Sequence, residues 1–276
     1  MAMPETVEIL GVRFDNLTRR DAAGAIAAAA KGDGKRYVVK PYSEFMARSV
    51  DDAGVRGILN GADLCLPDGV GIVWAAHYLS LNGGWARALL QLPLSLLSIV
   101  VGPTALRQPI REPMAGVDLT WEMLSQLERA DASVFLLGGA EEEVRATVQR
   151  IEERLPGLKV AGARNGYFST SGGANDAVVA EVNAARPNAL LVAMGFPRQE
   201  RWIVANLDRL DISVAIAEGG SFSFIGGTVS RAPGWMRRSG LEWLYRLGRQ
   251  PWRLKRQLAL PRFVWLVLRE RLARAG

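Results

Sequence analysis

This sequence predicts an α/β fold, a mostly parallel sheet flanked by helices, and three observations lead there. Short apolar runs ending in glycine or proline recur along the chain. Each is followed by a helical pattern, which is the rhythm of strand, turn and crossover helix in a parallel sheet. Finally, 276 residues of which 49% are hydrophobic and 22% charged can bury a full core, so disordered, collagen-like and low-complexity chains are excluded.

The elements follow in order. Residues 7–14 alternate around Gly11 and read as a small hairpin, and Ala22 to Ala30 reads as an alanine-rich helix. Tyr37-Val38-Val39 is the first sheet strand and runs into Lys40-Pro41. A helix carrying His77, the one histidine, is expected after Gly71. From Ala88 to Leu106 there is no charged residue, yet Pro93 and Pro103 interrupt the stretch. An interfacial hairpin or a buried helical insert, covering about residues 85–109, is therefore favoured over a membrane span. Val134 to Leu137 ends at Gly138-Gly139. The helix from Glu141 to Leu155 follows, with acids in its first turn and Pro156-Gly157 as its stop. Leu190 to Met194 ends at Gly195, and Val214 to Ala217 ends at Glu218-Gly219-Gly220.

Charge divides the chain into a body, residues 1–230, and a tail, residues 231–276. The tail holds 12 Lys/Arg against two acids, while the body holds 22 bases and 26 acids. Such a tail fits a polyanionic surface. Trp235, Trp243, Trp252 and Trp265 lie in the same segment, and tryptophan beside arginine suits anionic lipid headgroups better than nucleic acid. A basic helical hairpin simply packed on the body is the plainer alternative. One cysteine and one histidine exclude a disulfide framework and multi-histidine zinc chemistry. The N-terminal residues show no secretory signal, so a cytoplasmic location is expected.

In an open parallel sheet, ligands bind beyond the carboxyl ends of the strands. Gly138-Gly139 and Gly219-Gly220-Ser221 lie on such turns, although neither has the spacing of a P-loop or a dinucleotide fingerprint. Asp68 stands between Pro67 and Gly69 on another turn, with no basic residue beside it. It reads either as a carboxylate able to take a proton from a hydroxyl or as an ordinary Asp-Gly turn. The cluster Gly195-Phe196-Pro197-Arg198-Gln199-Glu200-Arg201 opens a helix at the same rim. No Asp-x-Asp triplet is present, which disfavours a carboxylate-held divalent metal.

Seven ordered motifs then resemble the WecG/TagA/CpsF family of bacterial glycosyltransferases. They are Ala62-Asp63-Leu64 leading to Pro67-Asp68-Gly69-Val70-Gly71, then Ala115-Gly116-Val117-Asp118-Leu119, Phe135 to Gly139, Asn165-Gly166-Tyr167-Phe168, Gly195 to Glu200, Gly219-Gly220-Ser221-Phe222 with Arg231-Ala232-Pro233, and Gly240-Leu241-Glu242-Trp243. The resemblance implies a Rossmann-like domain over residues 1–230 and a basic, tryptophan-rich, membrane-associating appendage over 231–276. It implies an inverting, metal-independent transferase that uses no cofactor. A sugar would pass from a UDP-sugar to a polyprenyl-diphosphate-linked saccharide in surface polysaccharide or exopolysaccharide synthesis, with the enzyme peripheral on the inner face of the cell membrane. By the same resemblance Asp68 is the general base, and Gln199 contacts sugar or diphosphate. It also implies that Tyr167, Gly219, Gly220 and Ser221 line the nucleotide pocket and that Arg231, Arg237 and Arg238 meet the acceptor diphosphate. Gly138, Gly139 and Glu218 are expected in the same pocket from their turns at the carboxyl edge. Lys40 and Tyr42 are expected to bind substrate from their place after the first strand, with Lys40 either pairing with a substrate carboxylate or phosphate or lying at the rim.

The chain departs from the family's Thr-Pro-Asn at Lys40-Pro41-Tyr42. A hydroxyl and an amide become a cation and a phenol, so N-acetylmannosaminyl, glucosyl and glucuronosyl donors all stay open. The departure also keeps alive a second reading, a non-catalytic membrane-associated sugar-nucleotide-binding or scaffold protein. Self-association into a homo-oligomer is likewise open, and nucleic acid is not expected as a partner.

Overall fold

The computed structural model describes residues 5–101, 106, 108–114, 116–234, 236, 242–249 and 258–275. In chain order the elements are β1 (Thr6–Ile9), β2 (Val12–Asp15), α1 (Arg19–Ala30), β3 (Arg36–Val39), α2 (Ser43–Ser49), α3 (Ala53–Asn60), β4 (Leu64–Cys65), α4 (Val70–Ser80) and α5 (Trp85–Val101). There follow α6 (Gly116–Arg129), β5 (Val134–Gly138), α7 (Glu141–Arg154), β6 (Val160–Arg164), α8 (Gly172–Ala185), β7 (Ala189–Ala193), α9 (Arg198–Asn206), β8 (Val214–Ala217), α10 (Ser221–Ile225), α11 (Glu242–Arg249) and α12 (Ala259–Ala275).

Six strands form one parallel sheet in the order β4-β3-β8-β7-β5-β6, and β1 and β2 pair antiparallel beside it. The strands fit a sheet covered on both faces because every residue of β5, β7 and β8 is buried. Alternation then sorts them: Phe135, Leu137, Leu190 and Val192 join one core with α2, α4, α8 and α9, and Leu136, Leu191 and Ile216 join the other with α1, α6, α7 and α10. The four strands and the hairpin expected from the sequence are all present. A two-residue strand, β4, and a half-exposed strand, β6, complete the edges.

Helix starts follow local chemistry. Thr18 Oγ1 accepts from Asp21 N–H at 3.2 Å to open α1, and Asp52 Oδ1 accepts from Val55 N–H at 3.0 Å to open α3. In α7 the Glu143 carboxylate reaches back to Ala140 N–H at 2.9 Å, and its other oxygen accepts from Ser223 Oγ at 2.8 Å, tying α7 to α10.

Residues 85–101 form one helix that continues through Pro93, which fits the helical insert and not a hairpin over that span, while Pro103 lies outside the described residues. Pro93 lies on the exposed side of α5. The C-terminal helix α12 packs on α2, α4 and α5 and sends Phe263, Leu266, Val267 and Leu268 into the core, leaving Trp265 56% exposed. Trp235, Trp252 and the side chain of Trp243 lie outside the described residues, as do Arg237 and Arg238.

Candidate functional site

Strand order reverses around β3 and β8. The chain moves outward from β3 to β4, crosses to β5 and β6, and returns through β7 to β8. Such a reversal opens a crevice at the carboxyl edge. Register decides what meets there. Val38 pairs with Ile216, so two residues on Lys40 faces Glu218, and their charged atoms lie 2.8 Å apart with both side chains almost fully buried. The second Glu218 oxygen accepts from Thr120 Oγ1 of α6 at 2.5 Å. The structure thus gives Lys40 an internal partner and places it below the rim.

Gln199 is also internal, at 2% exposure. Its Oε1 accepts from Gly195 N–H and Gly219 N–H, both at 3.1 Å, and so staples the turns after β7 and β8 together. Its Nε2 donates to Glu200 Oε1 at 2.8 Å. Glu200 is equally buried, its Oε2 has no hydrogen-bond partner, and burial pushes its carboxyl up to about 7 despite the bond from Gln199.

The glycine turns need their glycines. At Gly138, with φ of +139°, an added Cβ would fall 2.3 Å from Ala193 O, the backbone of the neighbouring strand. Their N–H groups serve the fold: Gly139 donates to Ala193 O, Gly166 to Gly139 O, and Ser221 to Glu218 O. Arg198 holds the next loop by donating to Gly166 O at 2.8 Å and Phe168 O at 2.6 Å, while Tyr167 stands 79% exposed at the loop tip.

Asp68 occupies the turn from β4 into α4 and is partly exposed. Its backbone N–H donates to Pro41 O at 3.2 Å, and Pro67 O accepts from Met114 N–H at 2.9 Å, so the start of α6 is drawn to this turn. A Cβ at Gly116, the first residue of α6, would lie 3.6 Å from both Asp68 Oδ2 and Ser221 Oγ. Carboxylate, hydroxyl and a helix amino terminus therefore converge. In the same first turn, Asp118 takes both terminal nitrogens of Arg231, at 2.5 and 3.2 Å. Tyr42 donates to Glu44 at 2.9 Å beside the β3 end. His77 stands near the far end of α4, its Nδ1 3.2 Å from Gln108 O.

Sequence reasoning gave no role to Gly116, Thr120 or Glu200. The first and second sit in or beside the Ala-Gly-Val-Asp motif, and the third follows Gln199 directly.

Fold and site together define an open α/β protein with a partly exposed carboxylate at the reversal point of a parallel sheet. The model of the glycosyl transferase WecG/TagA/CpsF family matches residues 7–90 and 86–276, so the chain belongs to that family and is a glycosyltransferase. It is 29% identical over 232 residues to the N-acetylglucosaminyldiphosphoundecaprenol N-acetyl-beta-D-mannosaminyltransferase of Bacillus subtilis, covering 84% of this chain and 78% of the relative. The Staphylococcus aureus strain MW2 protein of the same name is 27% identical over 263 residues, covering 95% of this chain and 91% of the relative.

Proposed function

We propose that the chain transfers a hexose from a UDP-sugar to a polyprenyl-diphosphate-linked saccharide, with inversion and with Asp68 as general base, in the making of a bacterial surface polysaccharide. The observation that carries this reading is the convergence of the Asp68 carboxylate, Ser221 Oγ and the amino terminus of α6 at the sheet's reversal point. The names of the Bacillus and Staphylococcus relatives, which specify a diphosphoundecaprenol acceptor, support the lipid-linked half.

The chemistry is one in-line displacement. Asp68 takes the proton from the acceptor hydroxyl as that oxygen bonds to the anomeric carbon. The bond from that carbon to the diphosphate breaks on the opposite face, and UDP leaves with the electron pair. Because the amides of Gly139 and Gly219 are engaged within the protein, the leaving charge falls to the first turn of α6 and to Arg231, which Asp118 fixes there. Gly138, Gly139, Gly195 and Gln199 shape the crevice from beneath, and exposed Tyr167 offers a face for the base. Glu218 already meets the Lys40 charge, which favours an uncharged hexose over a glucuronosyl donor. Acceptor binding draws the enzyme to the inner face of the membrane, and no metal takes part.

A panel of UDP-sugars offered with a short lipid-linked acceptor, read by mass spectrometry, tests the reading. One donor should add a single hexose mass to the acceptor and release UDP in equal amount. No transfer from any donor would reject it.

A further inference from the structure

The mechanism leaves one feature of the fold unused, the outer face of α5. A surface helix normally turns apolar residues inward and polar ones outward. Here both sides are apolar: Leu92, Leu96 and Ile99 pack inward on the core, and the outer face is apolar as well. Trp85, Leu89, Leu90, Leu94, Leu97 and Val100 all point outward, with Leu90 71%, Leu94 67% and Leu97 59% exposed. The hydroxyls of α5 turn in: Ser95 is buried, accepts from Trp74 Nε1 at 3.0 Å and donates to Leu92 O, and Ser98 donates to Ser95 O. Scattered exposed leucines are ordinary, but a whole helix face of them marks a surface that meets something apolar.

We propose that this face of α5 is the surface on which the enzyme rests in an anionic lipid bilayer, lying flat at headgroup depth. The inference rests on the lipid-linked acceptor proposed above. Seventeen residues make about 26 Å of helix, short of the roughly 30 Å hydrocarbon core, and no described helix is long and apolar enough to cross a membrane. Moreover, the inner side of α5, through Leu92, Leu96 and Ile99, packs on the protein core, so the helix cannot be surrounded by lipid. Exposed cations lie on α5 and on the helix packed against it. Arg87 is exposed on α5 itself, and the neighbouring α12 carries exposed Arg269 and Trp265. Two copies meeting on this face would oppose those arginines, whereas anionic headgroups pair with them.

The position also serves the reaction. Tyr78 OH donates to Ala88 O at 2.7 Å, and this bond and the Trp74–Ser95 bond both tie α5 to α4. α4 begins two residues after Asp68, so a bilayer-seated α5 holds the base at a fixed height above the layer that contains the acceptor.

Flotation of the full chain with phosphatidylglycerol-containing vesicles, without any substrate, tests this directly. Leu90→Glu/Leu94→Glu/Leu97→Glu should lower partition into vesicles roughly 10- to 100-fold, while transfer to a water-soluble short-chain acceptor stays at the wild-type rate. An environment-sensitive fluorophore on Leu94→Cys, selective because Cys65 is fully buried, should shift to the blue on vesicle addition. Wild-type flotation of the triple variant, or a fluorophore that stays in water while the protein floats, would overturn the proposal. So would a triple variant that breaks a dimer without changing flotation, because a second copy would then be the occupant. Failure of sugar transfer with normal flotation would count against the proposed function alone.

Discussion

The two walls of the crevice treat their polar groups in opposite ways. Around the ends of β3, β7 and β8, Lys40, Gln199, Glu200 and Glu218 are all at most 6% exposed and bind one another or the backbone. On the β4–α6 side, Asp68 is partly exposed, and the helix end beside it carries glycine in place of a side chain. The first wall is built from charges used to hold strand ends in place. The second leaves a carboxylate open to the crevice. Acidic residues along one sheet edge thus divide by burial into structural and chemical, and each prediction below acts on that division.

The largest stability effect belongs to the buried wall. Lys40→Met leaves Glu218 charged and uncompensated, and chemical denaturation should show a loss of about 3–5 kcal/mol. Adding Glu218→Gln should restore a good part of it; a double variant no better than the single would break the assignment.

A smaller effect is expected at Glu200. The folded protein binds its proton more tightly than the unfolded chain, whose carboxyl titrates near 4.5. The stability it contributes is complete below that value and is lost as pH rises through about 7. Glu200→Gln keeps the acceptor for Gln199 and removes the titration. Between about pH 5 and pH 8 the variant should gain about 1–3 kcal/mol on wild type in unfolding free energy, and parallel pH curves would contradict the account. The smallest effect is none at all: exhaustive chelation should leave the transfer rate unchanged, and recovery with added magnesium would put a metal into the reaction.

Much of this was legible in the sequence. The four strands read correctly because each is a short apolar run closed by glycine, proline or a charged residue, and α7 read correctly because its period, acidic first turn and Pro-Gly stop agree. β4 has two residues, too few for any period, and β6 is a half-exposed edge strand, Val-Ala-Gly-Ala-Arg, without the apolar run of a central strand. The Lys40–Glu218 pair depends on which strands adjoin and in what register, which no local pattern encodes. At α5 the sequence left a hairpin and a helical insert open because Pro93 removes one helix hydrogen bond and crowds the preceding turn, a local cost that the packing of Leu92, Leu96 and Ile99 on the core outweighs. Asp68 was found through its motif, but its setting beside Gly116 and Ser221 needed the fold.

The central claim is that Asp68 removes the acceptor's proton, and side-by-side kinetics of wild type and Asp68→Asn test it most directly. The variant should bind UDP as the wild type does and lose about 100- to 10,000-fold in turnover. Turnover close to wild type would show that the proton leaves by another route.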